Sequence, residues 1–439
     1  MNIAILGTGY VGLSTGVCLS EIGHNVICID TDEQKIKSLN QGISPIYEPG
    51  LESLLTQNAA SGKLLFTTSH REALNSAEII IIAVGTPQME DGSANLTYLE
   101  QAVKDIAANM VRSAVIVLKS TVPVGTTKII KKFMMDICNE NVTFEMVSNP
   151  EFLRQGAAIM DTLKPDRIII GSENEEVAKK IQEMYLPLNA PFLLTSIQSA
   201  EMIKYASNAF LATKISFINE IANLCEVVGA DVQEVAKGMG KDNRIGEAFL
   251  KPGIGYGGSC FPKDVKALIH TAKLHGMPFS LLKETVAIND FQQELLVVKA
   301  INRLGDLKGK KITMLGLAFK PETDDMREAP SIKIARSLVK LGAEVVAYDP
   351  VAIDNAKKIL GGTIKFASSV LKAVVDADAI FIVTEWDEFR NLDLERLMKI
   401  MRQPLVFDGR NCFEENRIRD CKKIEYYPIG RPAILIGMN

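Results

Sequence analysis

A single cysteine in the stretch GYGGSCFPKD, residues 255–264, has the surroundings of a reactive thiol. The glycines before Cys260 would let a substrate approach the backbone, and the residues after it, PKDVKALIHTAKLHG, predict a helix that begins directly behind the thiol. The positive end of a helix dipole and the nearby Lys263 both lower the pKa of a thiol, which favours the nucleophilic thiolate. No histidine lies near Cys260 in the sequence, so carboxylates and lysines are the candidate bases, and Asp264 follows four residues later.

The other cysteines do not share this pattern. The seven cysteines are scattered singly, without the spacing of a disulfide framework or of a metal site. Structural disulfides and a bound metal are therefore not expected. Four of these cysteines are predicted to be small buried apolar side chains: Cys18, Cys28, Cys138 and Cys225.

Lys204 and Asn208 lie four residues apart in EMIKYASNAF and therefore on one face of a predicted helix. An ammonium and an amide that point together can donate hydrogen bonds to an oxyanion. Polar pairs at this spacing are common, and considered alone this pair is more typical of a solvated helix face.

A glycine-rich turn follows the first predicted strand and opens a helix. Gly7, Gly9 and Gly12 form the pattern GxGxxG, in which the glycines allow a tight turn, the approach of a pyrophosphate, and close packing of helix on strand. Asp30 ends the second predicted strand about twenty residues later, where a carboxylate accepts hydrogen bonds from ribose hydroxyls and repels a 2′-phosphate. The pattern predicts NAD, rather than NADP, as the cofactor. A glycine turn with a surface aspartate is the less favoured interpretation.

Three polar side chains follow further predicted strands of the same sheet. Thr86, Thr121 and Glu151 come after the strands IIIIAVG, AVIVLKS and FEMVSN. Ligands of open parallel sheets bind beyond the carboxyl ends of the strands, so these residues are expected to converge near a bound nicotinamide. Each of them alone would also suit a turn or a helix cap.

A thiolate next to a hydride acceptor suggests a specific reaction. The thiolate adds to an aldehyde, the tetrahedral adduct loses hydride to NAD, and the resulting thioester is hydrolysed.

The last third of the chain returns to alternating strands and helices but has no GxGxxG. The stretch LGLAFKPETDDMREAP follows a predicted strand and carries Lys320 and Arg327, and Arg410 follows another strand. Cations at the edge of a nucleotide-type fold without the dinucleotide loop suggest a different phosphorylated ligand. Salt bridges to Asp324 and Asp325 are the alternative.

These patterns predict an α/β protein with two Rossmann-like, doubly wound parallel sheets. Five near-continuous apolar runs in the first third read as buried parallel strands, and SSVLKAVVDADAIFIVTEW echoes SHREALNSAEIIIIAVGTP in the first half. A helix over about 196–228, without proline or glycine, would span roughly 50 Å and could join two domains or pack on a second subunit. We expect an NAD-binding domain over 1–195, a helical and dimerisation domain carrying Cys260 over 196–300, and a second Rossmann-like domain for a different phosphorylated ligand over 301–439.

Composition excludes several other classes of protein. The chain has 439 residues, a net charge of −4 and a hydrophobic content of 47%, which is typical of a folded globular protein without a basic footprint for nucleic acid or for a membrane surface. It contains no signal-peptide pattern and no apolar run of the ~20 residues that a membrane span needs. A cytoplasmic protein is expected.

The chain resembles the UDP-glucose 6-dehydrogenase family, within the wider nucleotide-sugar dehydrogenases, over essentially its full length. The matching stretches are GTGYVG, VGTP, STVPVGTT, SNPEFL, KYASNAF, RIGEAFLKPGIGYGGSCFPKD, LGLAFKPETDDMREAP and FDGR. The resemblance implies homodimers and two Rossmann-like domains bridged by a long helix, with the domain over 301–439 binding a UDP sugar. It also implies a four-electron oxidation of the sugar's C6 hydroxymethyl group to a carboxylate, with two NAD.

The resemblance also implies roles for individual residues. The catalytic set would be Cys260, Lys204, Asn208, Asp264, Thr121 and Glu151, with either Lys204 or Asp264 taking the first proton. The NAD contacts would be Gly7, Gly9, Tyr10, Val11, Gly12, Asp30, Lys35, Thr86, Thr121, Gln155, Lys263 and Arg327. The substrate contacts would be Glu151, Phe152, Leu153, Lys204, Asn208, Arg244 (donated across the dimer), Phe249, Leu250, Lys251, Gly253, Gly257, Lys320 and Arg410.

One position departs from the family pattern. Many relatives have PEFLREG where this chain has PEFLRQG, so Gln155 replaces a carboxylate and cannot act as a base.

Three alternatives stay open from the sequence. The same chemistry on GDP-mannose or UDP-N-acetylmannosamine is possible, although GGSCFPKD favours UDP-glucose because enzymes for acetamido sugars tend to have a histidine before the cysteine. A two-electron hydroxyacid dehydrogenase with a structural Cys260 would release one NADH per substrate. An NAD-responsive regulatory module is least favoured, because no residue of the catalytic set is missing.

Overall fold

The structure is a computed structural model that describes residues 1–437. Residues 438–439, the end of the predicted third domain, lie outside the described residues. The strands are β1 (Asn2–Leu6), β2 (Asn25–Ile29), β3 (Leu64–Thr67), β4 (Ile79–Ile82), β5 (Ala114–Leu118), β6 (Phe144–Ser148), β7 (Ile168–Ser172), β8 (Phe192–Thr195), β9 (Lys311–Leu315), β10 (Glu344–Tyr348), β11 (Lys365–Phe366), β12 (Ala379–Ile382), β13 (Leu405–Asp408), β14 (Ile424–Tyr427) and β15 (Ile434–Ile436).

Helices connect most of these strands. They are α1 (Tyr10–Glu21), α2 (Glu33–Asn40), α3 (Leu51–Ala60), α4 (His70–Leu74), α5 (Thr97–Asn109), α6 (Thr126–Ile137), α7 (Ala158–Leu163), α8 (Glu175–Tyr185), α9 (Ile197–Val228), α10 (Val232–Gly240), α11 (Phe261–Leu274), α12 (Ser280–Gln292), α13 (Leu295–Leu304), α14 (Pro330–Lys340), α15 (Ile353–Leu360), α16 (Val370–Val374), α17 (Asp387–Arg390), α18 (Leu394–Ile400) and α19 (Glu415–Arg419), with a 3₁₀ turn at Leu186–Leu188.

The chain divides into two compact units. The first unit comprises Met1–Ser207 and Lys266–Gly276, and the second comprises Asn208–Val265 and Met277–Asn439. The three domains predicted from the sequence are not tested by this division and stay a prediction.

The first unit contains a sheet in the order β3-β2-β1-β4-β5-β6-β7-β8. Its first six strands are parallel and follow the order 3-2-1-4-5-6 of dinucleotide-binding folds, and β7 runs antiparallel to β6. Isoleucine and valine dominate these strands because β-branched side chains pack well on a pleated surface. The parallel strands predicted in the first third of the chain are confirmed.

Burial on both faces of this sheet explains the continuous apolar runs. In β4, Ile79 and Ile81 belong to one hydrophobic core, whereas Ile80 and Ile82 belong to another. Successive strand residues point to opposite faces, so both faces are covered and polar alternation is absent from the strand.

The second unit contains a sheet in the order β11-β10-β9-β12-β13-β14-β15. Its parallel strands repeat the same order, and the last strand is antiparallel. Phe381 and Phe407 pack in one core, while Ile380 and Val406 pack in the other. The second Rossmann-like fold that the internal echo predicted is confirmed.

Helix α9 has 32 residues and confirms the long helix expected over 196–228. Within residues 1–437, we find no helix with the length and apolar character to span a membrane.

Candidate active site

The glycine-rich turn between β1 and α1 has the shape of a phosphate cradle. Gly7 has a φ of +98°, and its N–H donates to the Ile29 carbonyl at 2.8 Å. A Cβ at Gly12 would lie 1.9 Å from the Gly7 carbonyl oxygen, whereas a Cβ at Gly9 would have no heavy atom within 4 Å. The first and third glycines are thus required by the fold, and Gly9 leaves open space where a ligand can approach the backbone.

The same turn provides N–H groups for an anion. Helix α1 is described in full, and it has neither a side-chain N-cap nor an acidic residue in its first turn, which carries Tyr10 and Val11. Backbone donors and the positive end of the helix dipole therefore face the open space above Gly9. These residues fit the pyrophosphate of a dinucleotide.

Asp30 lies directly after β2 and is anchored to the glycine turn. Its Oδ2 accepts hydrogen bonds from the N–H and the hydroxyl of Thr8 at 3.0 and 2.6 Å and from Lys35 Nζ at 2.8 Å. Burial alone would raise the pKa of Asp30, but the donors from Lys35 and Thr8 prevail and hold this pKa below its usual value. The carboxylate is thus ionised and fixed where a ribose is expected.

Thr86 and Thr121 tie neighbouring strand ends together. The Thr86 hydroxyl donates to the Thr121 carbonyl at 2.8 Å, and Ser120 Oγ donates to the Val84 carbonyl at 2.7 Å. Thr86 is buried, and Thr121 is half-buried. The loops after β4 and β5 are therefore one connected edge of the sheet.

Glu151, after β6, forms a buried ion pair with Lys204. Lys204 Nζ lies 2.8 Å from Glu151 Oε1, and the two side chains are only 3% and 5% exposed. The Leu153 N–H donates to the other carboxylate oxygen at 2.5 Å, and the ammonium lies 5.3 Å from the centre of the Phe152 ring. Burial would raise the pKa of Glu151, but the charge and hydrogen bond of Lys204 outweigh it and lower that pKa.

Asp264 is held by two donors in the second unit. Asn208 Nδ2 and Lys263 Nζ each donate to one carboxylate oxygen at 2.6 Å, and Asp264 is 1% exposed. Lys204 and Asn208 are both buried, so the alternative of a solvated helix face does not describe this pair. Lys263, expected at NAD, here neutralises Asp264.

Cys260 stands at the start of α11, as the sequence predicts. Its carbonyl accepts the N–H of Asp264 at 2.9 Å, the first bond of the helix, and its half-buried thiol lies 3.8 Å from the Ser259 hydroxyl. Cys260 therefore lies directly before the N-terminal end of α11, where the N–H groups carry partial positive charge. All seven cysteines lie within the described residues, and none of these forms a disulfide.

The glycines before Cys260 face atoms of the protein itself. A Cβ at Gly257 would lie 2.1 Å from the Glu328 carbonyl oxygen, and one at Gly258 would lie 2.8 Å from the Phe319 ring. The Gly258 N–H also donates to the Arg327 carbonyl at 2.9 Å. Gly257 and Gly258 are therefore required because the loop 316–329 packs directly against them, whereas a Cβ at Gly255 would meet Asn289 Oδ1 at 2.6 Å.

Comparisons with known proteins agree over the whole chain. Residues 1–189, 198–291 and 313–415 match, in order, the NAD binding, central and UDP binding domains of the UDP-glucose/GDP-mannose dehydrogenase family. The chain belongs to this family. The family resemblance, the enzyme class and NAD as the cofactor are thereby confirmed.

Individual members of the UDP-glucose/GDP-mannose dehydrogenase family are close to this chain. UDP-glucose 6-dehydrogenase YwqF of Bacillus subtilis (strain 168) is 53% identical, with 99% of each chain covered. UDP-glucose 6-dehydrogenase TuaD of the same organism is 49% identical over 99% of this chain and 94% of its own. The solved structure of a UDP-glucose dehydrogenase from the archaeon Pyrobaculum islandicum aligns with a TM-score of 0.91 and 37% identity, covering 98% of this chain and 97% of that one.

The three arginines that were predicted to contact ligand in this UDP-glucose/GDP-mannose dehydrogenase family member have partners within the chain. Arg410 donates from its guanidinium to the carbonyls of Val383 (3.0 Å), Gly255 (3.1 Å) and Phe319 (3.4 Å). It thereby ties the segment before Cys260 to the ends of β9 and β12. As a ligand contact, Arg410 stays a prediction.

Two further arginines are exposed and pair locally. The guanidinium of Arg327 lies 2.7 Å from Asp325, and that of Arg244 lies 2.6 Å from Asp242. The Arg327 pair is the salt bridge that the sequence allowed as an alternative. The side chains of Arg327 and Arg244 are 58% and 89% exposed, so both can still be reached from solvent.

The remaining predicted ligand contacts include buried, half-buried and exposed side chains. In the second unit, Leu250 and Gly253 are buried, Phe249 and Lys320 are half-buried, and Lys251 is exposed. In the first unit, Gln155 is half-buried. Their ligand contacts stay predictions.

Sequence reasoning missed the polar residues that hold the catalytic segment from behind. Gly253 is fixed by Asn219 Oδ1 (2.8 Å) and Gln292 Nε2 (2.7 Å), and the backbone of Tyr256 exchanges hydrogen bonds with Asn289. Asn289 and Gln292 are buried near the end of α12. The two amides share the buried face of α12 with Leu282 and Thr285, and polar side chains that recur at helical spacing beside a leucine are the signal that could have identified them.

Proposed function

We propose that the protein oxidises UDP-glucose to UDP-glucuronate, with two NAD reduced for each sugar. The observation that carries this proposal is the full-length similarity to UDP-glucose 6-dehydrogenases combined with an intact set of Cys260, Lys204, Asn208 and Asp264. In the first unit, Lys204 is buried in an ion pair, and in the second unit a cysteine begins a helix beside a buried carboxylate. This set of residues suits nucleophilic catalysis on a carbonyl.

The first unit would hold the cofactor. The N-terminus of α1 and the open face of Gly9 suit the pyrophosphate, and Asp30 suits a ribose. The bound NAD supplies the hydride acceptor. Lys35 keeps Asp30 ionised, which would disfavour a 2′-phosphate at that place.

The first oxidation converts the hydroxymethyl group into an aldehyde by loss of a hydride and a proton. Lys204 and Asp264, the latter through a water, are the candidate proton acceptors. Lys204 can accept this proton only as the neutral amine, whereas as the ammonium it would join the amide of Asn208 in stabilising the oxyanion that develops on the substrate oxygen.

The second oxidation passes through Cys260. The thiolate forms an S–C bond to the aldehyde carbon, and loss of the second hydride converts this thiohemiacetal into a thioester. Water then cleaves the C–S bond and regenerates the thiol, with Asp264, Thr121 and Glu151 positioning water and relaying protons. Overall, one hydroxymethyl group, two NAD⁺ and one water yield one carboxylate, two NADH and three protons.

The nucleotide end of the substrate would be held by the second unit. Lys320 and the segment 249–253 are the proposed contacts, and Arg244 would reach a neighbouring subunit. The exposure of Arg244 supports this assignment.

We also propose a homodimer that forms through α9. Phe210, Phe217 and Leu224 recur every seven residues along this helix and are 66%, 48% and 57% exposed. Such an exposed apolar stripe is typical of a helix that packs on another subunit. Light scattering should show a dimer for the parent protein and dissociation for Phe217→Asp. Tyr98→Asp, which changes another exposed aromatic residue, is the control and should stay dimeric. A monomeric parent protein would refute the proposal. The cytoplasmic location stays a prediction.

The decisive experiment measures NADH released per UDP-glucose consumed, with excess NAD. A ratio near two supports the four-electron oxidation, whereas a ratio near one favours a two-electron dehydrogenase. No NADH would direct the assay to GDP-mannose and UDP-N-acetylmannosamine. Cys260→Ala should abolish formation of the acid, while the control Cys138→Ala, at the end of α6, should retain the parental rate.

A further inference from the structure

Lys119 is a buried cation for which the proposed reaction has no role. It lies directly after β5, is 7% exposed, and has no carboxylate within ion-pair distance among the described residues. Its ammonium contacts neutral groups, namely Asn149 Oδ1 at 3.1 Å and the Tyr185 hydroxyl at 3.5 Å. A lysine without a paired anion is costly to bury, so its presence calls for a compensating role.

The neutral partners of Lys119 fix its position rather than neutralise it. Tyr185 donates from its hydroxyl to Asn149 Oδ1 at 2.8 Å, and Asn149 Nδ2 donates to the Ile169 carbonyl at 2.7 Å. Lys119 precedes Thr121 by two residues, and Asn149 precedes Glu151 by two. The network therefore binds the two strand-end loops that carry proposed catalytic residues.

The charges around Lys119 belong to the active-site ion pair. The titratable groups that face it are Tyr185 at the end of α8, Glu151 after β6 and Lys204 on α9. Burial lowers the pKa of Lys119 to about 8, with the attraction of Glu151 opposing this shift and the repulsion of Lys204 adding to it. In return, the positive charge of Lys119 helps to keep the pKa of Glu151 low.

We propose that Lys119 is a positioning residue that serves as the fixed second counter-charge of Glu151. This inference rests on the proposed function, in which Lys204 takes up a substrate oxygen or a proton. When Lys204 turns from Glu151, a carboxylate that is 5% exposed would otherwise lose its compensating charge and take up a proton. Lys119, held by Asn149 and Tyr185, stays in place and keeps Glu151 ionised throughout the cycle.

The test is the pH dependence of kcat, which reports the enzyme–substrate complex, in Lys119→Met, a variant that removes the charge at nearly constant volume. The acidic limb should move toward neutral pH by about one unit or more, because Glu151 then takes up a proton more readily. The melting temperature at pH 7 should not fall, because the variant also removes an unpaired buried charge. A lower melting temperature with an unchanged pH profile would assign Lys119 a purely structural role and overturn the proposal.

Two further variants sharpen this test. Lys119→Arg keeps the charge and should restore the parental acidic limb. Lys128→Met removes a lysine that is 47% exposed in the same unit and should leave the profile unchanged. A shift in Lys128→Met equal to that in Lys119→Met would show that the effect is not specific to this site.

A readout that needs no turnover separates this inference from the proposed function. In protein with ¹³C-labelled glutamate, the side-chain resonance of Glu151, assigned through Glu151→Gln, should titrate at higher pH in Lys119→Met than in the parent. An unchanged titration would overturn the inference even if UDP-glucose is oxidised. A shifted titration would support the electrostatic role even if the substrate proves to be a different sugar.

Discussion

The two Rossmann-like folds of this chain begin with the same turn and use it differently. Gly7 and Gly316 have φ values of +98° and +97°, and their N–H groups donate to the strand carbonyls of Ile29 and Tyr348 at 2.8 and 2.9 Å. After this shared start the first fold continues as TGYVG and enters α1 at once, whereas the second continues as LAFKP and begins α14 only at Pro330. The backbone geometry is thus retained without the dinucleotide cradle.

The aspartate that ends the second strand of each sheet shows the same divergence. Asp30 is 12% exposed in its side chain and accepts from the Thr8 N–H. Asp349 accepts from the corresponding Leu317 N–H at 2.7 Å but is fully buried. It also accepts from the N–H groups of Ala318, Val351, Ala352 and the Trp386 indole. A residue that can bind ribose in one fold is a structural anchor in the other.

The loop 316–329, which follows the first strand of the second fold, has a different role from the glycine turn of the first fold. Residues 316–329 provide the Phe319 ring and the Glu328 carbonyl that pack on Gly258 and Gly257. Glu328 itself has a φ of +50°, an uncommon value for a residue other than glycine. In the second fold this loop therefore supports the segment that leads to Cys260, instead of forming a cofactor-binding turn.

The largest expected effect is a difference in folding stability between variants of Asp349 and Asp30. Asp349→Ala would leave its buried N–H donors without an acceptor, so we expect a loss of about 3–5 kcal/mol in the free energy of unfolding. Asp30→Ala should cost less than about 2 kcal/mol because water can reach its donors, but it should weaken NAD binding. Urea denaturation and NAD titration measure both quantities. Equal destabilisation by the two variants would contradict the comparison, and Asp354→Ala, at an 89% exposed side chain, is the neutral control.

The next effect concerns the support of the thiol. Gly257→Ala should displace the segment before Cys260 because its Cβ would meet the Glu328 carbonyl oxygen at 2.1 Å. We expect kcat to fall about a hundredfold with NAD binding retained, since misplacement by about 1 Å is enough for such a loss. Steady-state kinetics and NAD titration check this expectation. Gly238→Ala, where a Cβ would have no neighbour within 4 Å, is the matched control, and parental kcat in Gly257→Ala would show that the loop 316–329 does not support the thiol.

These particular residues show how far sequence reasoning reaches. The parallel strands, α9 and the start of α11 were predictable because each depends on a local apolar pattern or a local turn. The hydrogen bonds of Arg410 were not predictable, because its carbonyl partners Gly255, Phe319 and Val383 are distant in sequence. Lys119 was missed for the same reason. The stretch LKST does not indicate that its ammonium is buried, because its partners Asn149 and Tyr185 are distant in sequence and reach it only in the folded sheet.

A smaller effect should distinguish the two glycine turns. Gly9→Ala places its Cβ in open space, so the fold should be unaffected while the KM for NAD rises about tenfold, because the methyl group occupies the approach of the pyrophosphate. Gly316→Ala should do the reverse, since its positive φ and a contact of 2.4 Å with Thr384 strain the fold without affecting a cofactor turn. Melting curves and NAD kinetics on both variants test this. A raised KM for NAD in Gly316→Ala, or none in Gly9→Ala, would break the distinction.

The smallest effect is the pH dependence contributed by Asp30. Its pKa is lowered in the folded protein, so its ionised form stabilises the fold above the pKa of the unfolded chain, about 3.9. This stabilisation is lost as the pH falls through the lowered pKa. Asp30→Asn should therefore be less stable than the parent near neutral pH by about 1 kcal/mol, and the two should converge at strongly acidic pH. Unfolding free energies measured across this range decide the point, and a difference independent of pH would show that the Thr8 and Lys35 contacts do not depend on the charge of Asp30.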